Sequence, residues 1–253
     1  MAGLLVPATY LTLGGVAGFF LRKLSTAAAK PSKIQIVYFP VRARAEAPRL
    51  ILEYGGVDYE DITAKDFCGE GWPGAKPFTP FGQLPVMVVD GEVIAQSGSI
   101  VRYCAKLVPA LVPTDAIAAA KCDMIFEAGQ EMTAVNPVVN IFKGAAFAEK
   151  KEAFFKDFPP KLANLAKLLD KSDGPFFLGA TPYYCDLGVF HQLDNCRSVE
   201  PECLAAYPKV VAFMAAVEAL PAIKKYLAAR PKCVDIGSAP MLSPPIVGSR
   251  VKK

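Results

Sequence analysis

The stretch from residue 84 to residue 107, LPVMVVDGEVIAQSGSIVRYCAKL, carries several local structural signals in close succession. Two runs of β-branched residues flank Asp90-Gly91, a pair that favours the tight turn of a β-hairpin. Ser97 follows as an N-cap residue for a helix. Pro85 stands at the start of the first run, where it removes a donor from the strand ladder and so belongs at an edge or a special turn. The stretch therefore predicts a hairpin followed by a helix.

The residues before this hairpin predict a strand and a helix. Residues 33–39, KIQIVYF, form a β-rich run. Residues 44–56, RAEAPRLILEYGG, have an apolar cluster closed by a Gly-Gly stop, which is typical of a helix and its C-terminus. Together with the hairpin, these elements predict a mixed α/β domain over residues 33–108.

The remainder of the chain has a different pattern. Apolar residues at spacings of three and four predict an all-helical domain over residues 116–234. Pro159-Pro160 is expected to kink or split one of its helices. Residues 235–253 are rich in Pro, Ser and Gly and predict a loosely held tail.

The charge and cysteine patterns exclude two classes of protein. The net charge is +4, yet six basic and no acidic residues precede Glu46, which leaves 22 basic against 24 acidic residues from there onward. This near-neutral body lacks the basic surface of a nucleic-acid binder. Seven scattered cysteines, with no C-x-x-C pair and only His191 as a histidine, predict mostly buried free thiols in a reducing compartment and no metal site.

Residues 1–32 are predicted to be a membrane anchor or targeting segment. Residues 3–21 are uncharged and about long enough to cross a bilayer, and Arg22-Lys23 follow them. One interpretation is an anchor with the body facing the cytoplasm. A second is a transit peptide that is removed in an organelle, because no acidic residue occurs there. A third is an apolar tail that packs on the body.

Three separated stretches carry a family resemblance. They are VYFPVRARAEAPRLILEYGGVDYED at 37–61, GQLPVMVVDGEVIAQSGSIVRYCAK at 82–106 and FFLGATPYYCDLGVF at 176–190. In this order they resemble the soluble-type glutathione transferases of the sigma and pi classes. The resemblance implies an α/β thioredoxin-like N-terminal domain, an all-α C-terminal domain, a homodimer, and glutathione as co-substrate for conjugation to a small apolar electrophile. It leaves open a glutathione-dependent isomerase or peroxidase, and a noncatalytic binding or scaffold protein.

The resemblance also implies a set of glutathione-binding residues. Tyr38 ends the first strand, where the family has its catalytic tyrosine. Its hydroxyl would stabilise the thiolate, because a hydrogen bond to the charged form lowers the pKa of a thiol from about 8.5. The Leu84 backbone would pair with the cysteinyl part of glutathione beside a cis Pro85. The other implied contacts are Arg44, Trp72, Lys76, Gln83, Gln96 and Ser97.

These other contacts have separate expected roles. Gln96 and Ser97 precede a helix, whose N-terminus favours an anion such as the γ-glutamyl carboxylate. Lys76, with Trp72 beside it, would face the glycyl carboxylate. Phe39 would line the electrophile pocket.

Some positions depart from the family pattern or remain open. Ala43 stands where relatives have glycine, which puts the placement of the following arginine in doubt if the loop needs a positive φ. Tyr183 stands where relatives have a capping Ser or Thr, so that Thr181 takes over or the helix start is weaker. Phe142 and Met132 are expected in the wall of the electrophile pocket.

Overall fold

The computed structural model describes residues 30–244. This part of the chain begins as an α/β unit, with the strands and helices β1 (Ile34–Val37), α1 (Glu46–Gly55), β2 (Glu60–Ile62), α2 (Ala64–Cys68), β3 (Val86–Val89), β4 (Glu92–Ala95) and α3 (Ser97–Leu107). It continues with α4 (Ala116–Gln130), α5 (Val135–Asn140), α6 (Gly144–Asp170), α7 (Tyr184–Val199), α8 (Pro208–Ala219), α9 (Pro221–Ala229), β5 (Lys232–Val234) and β6 (Met241–Ser243). The predicted fold class, a thioredoxin-like α/β domain followed by a helical one, is confirmed.

The four strands of the N-terminal half form a mixed sheet in the order β2-β1-β3-β4. β2 runs parallel to β1, whereas β3 is antiparallel to both β1 and β4. Val37 at the end of β1 lies opposite Val86 at the start of β3, and Val86 lies opposite Ala95 at the end of β4. The residues that follow β1, precede β3 and follow β4 therefore meet at one end of the sheet.

The alternation of side chains along β1 and β3 gives the sheet two buried faces. Ile36 and Met87 point toward α1 and α3, in the main hydrophobic core. Val37 and Val86 point the other way, toward Phe67 of α2. The hairpin between β3 and β4 has the positive φ angles that its Asp-Gly sequence predicts, 48° at the aspartate and 93° at the glycine.

Helix α7 is the centre of the helical half, because most of its residues are buried. Glycines allow α4 to approach it closely. A Cβ on Gly129 would lie 2.8 Å from Val189, and one on Gly188 would lie 2.7 Å from Phe126. The start of α7 is held by Asp186, whose carboxylate accepts the backbone N–H of Tyr183 at 2.7 Å. The aspartate supplies this cap, since the tyrosine side chain has no short hydroxyl to do so.

Helix α6 continues through both prolines at 159 and 160 over 27 residues, so of the two expected effects, a kink or a split, the split is wrong and the kink stays a prediction. Its buried residues at spacings of three and four, Phe154, Phe158, Leu162, Leu165 and Leu169, form one apolar stripe. Burial of this stripe outweighs the loss of the proline N–H donors.

The end of the described chain forms a pair of strands. β5 and β6 are antiparallel, and Leu242 is buried. The sequence predicted a loose tail from residue 235, whereas this segment is paired through residue 243.

The domain boundaries proposed from the sequence stay predictions, and residues 3–21 lie outside the described part of the chain. Between residues 30 and 244, no helix is long and apolar enough to cross a membrane.

Candidate active site

The end of the sheet at which Val37, Val86 and Ala95 meet gathers several of the predicted site residues. Tyr38 follows β1, Leu84 and Pro85 precede β3, and Gln96 follows β4. The Leu84–Pro85 peptide bond is cis, as the resemblance implied. Antiparallel pairing of β3 with both neighbours is the reason that residues so distant in sequence become neighbours here.

Tyr38 is half-buried, and the backbone N–H of Arg44 faces its hydroxyl oxygen. Burial raises the pKa of Tyr38 above its usual value of 10, against the lowering effect of this N–H and of the charges of Arg44 and Arg49. The tyrosine is therefore a neutral O–H donor at pH 7. The Arg44 N–H lies on the acceptor side of the oxygen, which leaves the hydroxyl proton to point elsewhere.

The loop between β1 and α1 has a residue with a positive φ angle, at the position where relatives have glycine. Ala43 has a φ of 32°, in the region that favours glycine. Its carbonyl accepts the backbone N–H of Glu46 and the Nε2–H of His191, the latter at 2.6 Å. Arg44 is exposed at the rim of the loop.

Trp72 and Lys76 join the same surface through a chain of ring contacts. The Tyr38 and Phe39 ring centroids are 5.4 Å apart, and those of Phe39 and Trp72 are 5.6 Å apart. The ammonium of Lys76 lies 5.6 Å from the Trp72 ring centroid. This cation–π contact keeps the lysine near the tyrosine side of the sheet.

Gln83, Gln96 and Ser97 complete the predicted set. Gln83 and Gln96 are exposed, and Ser97 is half-buried. The prediction of Ser97 as the N-cap of α3 is wrong, because Gln96 holds that position and Ser97 is the first residue of the helix. Among residues 30–244, none makes a hydrogen bond to the side chain of any of these three. Their polar atoms are consequently open to a ligand. Gln96 has a φ of 68°, which turns the chain from β4 into the helix.

A cavity of about 630 Å³ opens beside Tyr38. One wall is the loop after β1, including Phe39 and Arg44, and the other consists of residues between 133 and 141 on and around α5. The lining is mainly apolar, with the Tyr38 hydroxyl and the side chains of Arg44, Thr133, Asn136 and Asn140 as polar exceptions.

The sequence predicted a different wall for this cavity. Met132 is fully buried in the core, and Phe142 packs against that core rather than lining the cavity. The lining residues lie between them, and sequence reasoning missed this segment because short α5 has no motif. The Pro137 at its first turn marks a helix start but not a cavity.

Buried ion pairs lie directly beneath the loop. Arg49 donates to Asp61 at 2.8 Å and to Glu46 at 3.3 Å. Burial disfavours the charged form of Glu46, yet the charges of Arg230 and Arg49 outweigh it and hold its pKa at about 2. The carboxylate therefore stays ionised under the active-site loop at every physiological pH.

In the part of the chain from 30 to 244, no group of three His, Cys, Asp or Glu residues could hold a metal ion. The expectation that no metal is required stays a prediction. All seven cysteines lie in this part and are free thiols.

Comparison with known proteins defines the class. Residues 34–106 match the family described as Glutathione S-transferase, N-terminal domain, and residues 135–230 match Glutathione S-transferase, C-terminal domain. The two matches together cover the α/β half and most of the helical half of the described chain. Both halves contribute residues to the site.

Two curated relatives and one solved structure agree with this match. Glutathione S-transferase 1 of Ascaris suum is 34% identical over 203 residues, which are 78% of this chain and 97% of the relative. Hematopoietic prostaglandin D synthase of Gallus gallus is 32% identical over 205 residues, 78% and 96% of the two chains. The crystal structure of monomeric Na-GST-3, a glutathione S-transferase from Necator americanus, has a TM-score of 0.64 at 25% identity, over 80% of this chain and 99% of that one.

The chain belongs to the glutathione S-transferase family, and it is a glutathione transferase. The predicted family, enzyme class and activity are therefore confirmed.

The predicted localisation needs a correction. About 200 residues of this chain account for 96–97% of the two curated relatives, and the N-terminal family match begins at residue 34. These relatives and the described helices give no support to membrane association. The prediction of a membrane-anchored body, with an organelle as the alternative, is therefore wrong.

Proposed function

We propose that Tyr38 activates glutathione by donating its hydroxyl hydrogen to the glutathione thiolate. The observation that carries this proposal is the position of that hydroxyl: it is half-buried and neutral, and the Arg44 N–H faces its oxygen. The proton then points away from the loop, beside a cavity able to hold a second substrate. A hydrogen bond to a charged acceptor is stronger than one to a neutral acceptor, so it favours the thiolate over the thiol.

Glutathione itself would extend along the end of the sheet. The Leu84 backbone, freed by the following proline from the strand ladder, would pair with the cysteinyl residue as an added strand does. The γ-glutamyl carboxylate would lie at the N-terminus of α3, an 11-residue helix, with the exposed side chain of Gln96 and the hydroxyl of Ser97 beside it. Gln83 would add a further polar contact.

The opposite end of glutathione carries the glycyl carboxylate. Lys76 would bind it, because its ammonium is exposed and already held near the Trp72 ring. Arg44 would lie between this end and the electrophile, since it also lines the cavity.

The second substrate would be a small apolar electrophile bound in the cavity. The apolar side chains of Phe39, Pro137 and Ile141 favour an uncharged, partly aromatic molecule. The thiol proton leaves to solvent, the thiolate sulfur forms a bond to the electrophilic carbon, and the displaced group leaves with its electron pair. Closeness of the two substrates lowers the barrier, because the reaction becomes effectively unimolecular.

A second candidate is a glutathione-dependent isomerase, which the 32% identity to the chicken prostaglandin D synthase favours. Glutathione consumption separates the possibilities with the full-length protein. A transferase consumes one glutathione per product, an isomerase consumes none, and a peroxidase, the third possibility, produces glutathione disulfide.

We also propose a homodimer. Phe78 and Phe81 are 52% and 64% exposed on the loop before β3, which is unusual for large apolar side chains of an isolated domain. Light scattering would give twice the mass of one chain if they pack on a second copy. A Phe81→Asp variant should then be monomeric, and a monomeric wild type would refute the proposal.

The decisive experiment measures thiolate absorbance of bound glutathione against pH, for wild type, Tyr38→Phe and Tyr54→Phe. The last variant removes a hydroxyl from the far end of α1 and serves as the control. A charge-assisted hydrogen bond predicts a rise in thiol pKa of about one to two units in Tyr38→Phe. An ordinary thiol pKa in the wild type would instead indicate a noncatalytic binding protein or scaffold.

A further inference from the structure

The peptide unit between Ala43 and Arg44 connects the two halves of the protein. At one end its carbonyl oxygen accepts the Nε2–H of His191, from α7, at 2.6 Å. At the other end its N–H faces the Tyr38 hydroxyl. Because a trans peptide is planar and its C=O and N–H point in opposite directions, the direction of the carbonyl determines that of the N–H.

We propose that His191 is a positioning residue for the thiolate-binding hydroxyl. It holds the Ala43 carbonyl, and thereby aims the Arg44 N–H at the Tyr38 oxygen. This proposal rests on the function proposed above. It extends the active site to the helical domain, 148 positions farther along the chain than Ala43.

The backbone at Ala43 explains why the peptide needs to be held. Its φ of 32° is strained for a residue with a Cβ, and such a residue persists only when its surroundings fix it. Arg42 is fixed by its contacts with Asp194 at 3.5 Å and with the Cys233 sulfur at 3.1 Å. These contacts fix the residue before the strained position. The peptide after it is fixed by His191 together with the Glu46 backbone N–H, which also donates to the Ala43 carbonyl.

The hydrogen-bond direction at His191 is determined by its neighbours. A carbonyl only accepts, so the short contact to Ala43 requires a proton on Nε2. Burial lowers the pKa of His191 to about 4, so the ring is neutral and carries one proton. The Asn195 side-chain nitrogen lies 3.4 Å from the same Nε2 but donates to Asn136 at 2.7 Å. In the hydrogen bond to the Ala43 carbonyl, the Nε2–H of His191 is therefore the donor.

Amide substitutions separate this role from packing. The Nε2 of glutamine reaches about as far as the histidine Nε2, whereas the Nδ2 of asparagine does not. His191→Gln therefore keeps the donor to Ala43, and His191→Asn removes it. Ala43→Gly relieves the strained φ, so it should restore the peptide direction without the histidine.

The measurement is the thiol pKa of bound glutathione, with kcat/KM for a chlorodinitrobenzene probe, in the full-length protein. We expect a pKa about one unit higher in His191→Asn and about tenfold lower kcat/KM at pH 6.5. His191→Gln should recover most of this change, and so should the double variant Ala43→Gly/His191→Asn. Should His191→Asn fail to fold, His191→Leu takes its place.

The outcomes distinguish the two proposals. An activated thiol in wild type that is unchanged in His191→Asn, even with a lowered melting temperature, would overturn the positioning role alone. Failure of Ala43→Gly to restore the pKa would also overturn it, because the peptide direction would then not be the cause. An ordinary thiol pKa in the wild type itself would refute the role of Tyr38.

Discussion

Arg230 lies between two carboxylates that belong to different halves of the fold, and its removal is a direct test of how those halves are joined. Its guanidinium donates to Glu46 of α1 at 2.8 Å and to Asp194 of α7 at 2.6 Å. All three side chains are largely buried, at 9%, 1% and 14% exposure. We consider the substitution Arg230→Met, which keeps much of the apolar volume and removes the charge.

The expected loss in the free energy of unfolding depends on which ion pairs each carboxylate loses and which it keeps. Removing one partner of a buried ion pair typically costs about 3–5 kcal/mol, because a charge stays buried without compensation. Glu46 keeps Arg49 at 3.3 Å, and Asp194 keeps Arg42 at 3.5 Å. These remaining pairs place the cost near the lower value, about 3 kcal/mol. For a body of this size that corresponds to a melting temperature lower by about 6–12 °C.

Arg197→Met is the matched control. Arg197 binds the same Asp194 at 3.1 Å, but its side chain is 31% exposed. Solvent screening limits the value of such a pair to about 1 kcal/mol or less. Urea unfolding of wild type and both variants, at one fixed protein concentration, measures the difference. Equal losses for the two variants, or a loss below about 1 kcal/mol in Arg230→Met, would refute the reasoning.

The pH dependence of stability gives a second check on the ion pair between Arg230 and Glu46. The pKa of Glu46 is about 2 in the folded protein, below its usual value of 4.5. A lowered carboxyl pKa contributes stability that is fully present above the unfolded value and is lost as the pH falls through the folded one. The stability gap between wild type and Arg230→Met should therefore be equal at pH 7 and pH 5.5 and smaller at pH 3.5. A gap that grows on acidification would contradict the assignment.

Three further predictions concern other parts of the molecule. Lys76→Met should raise the KM for glutathione about three- to tenfold and leave the bound thiol pKa unchanged, as initial rates and thiolate absorbance would show. Gly174→Ala should lose about 2–3 kcal/mol in urea unfolding, because its Cβ would meet the Gly179 backbone, whereas Gly71→Ala has open space. Burial raises the pKa of Asp186 to about 6, so its ionisation should make the protein about 1 kcal/mol less stable at pH 7 than at pH 5, a dependence absent in Asp186→Asn.

The hairpin shows which parts of the fold were accessible from sequence. The Asp90-Gly91 turn and the proline before β3 each depend on a few adjacent residues. Local sterics determine such features, so a short stretch of sequence suffices to predict them. The convergence of Tyr38, Leu84 and Gln96 depended on strand pairing, which the family resemblance implied and the register shows.

The cavity wall was not accessible in the same way. Apolar spacing identifies the helices around residues 132–142 but does not tell a core-facing position from a cavity-facing one. Met132 and Phe142 are large apolar residues, and such side chains enter the core as readily as a cavity wall. The smaller residues between them line the space because α5 stands away from the loop after β1.

Ala43 shows how a local departure from a family pattern is resolved by a distant residue. The sequence indicated correctly that a Cβ at this position would matter, since its φ is positive. It could not indicate what holds the strained loop, because His191 lies on another domain, 148 positions farther along the chain. A glycine there would adopt the same φ at little cost and need no such partner. The alanine and the histidine are therefore best understood as two parts of one arrangement, in which the helical domain supplies the restraint that directs an active-site N–H.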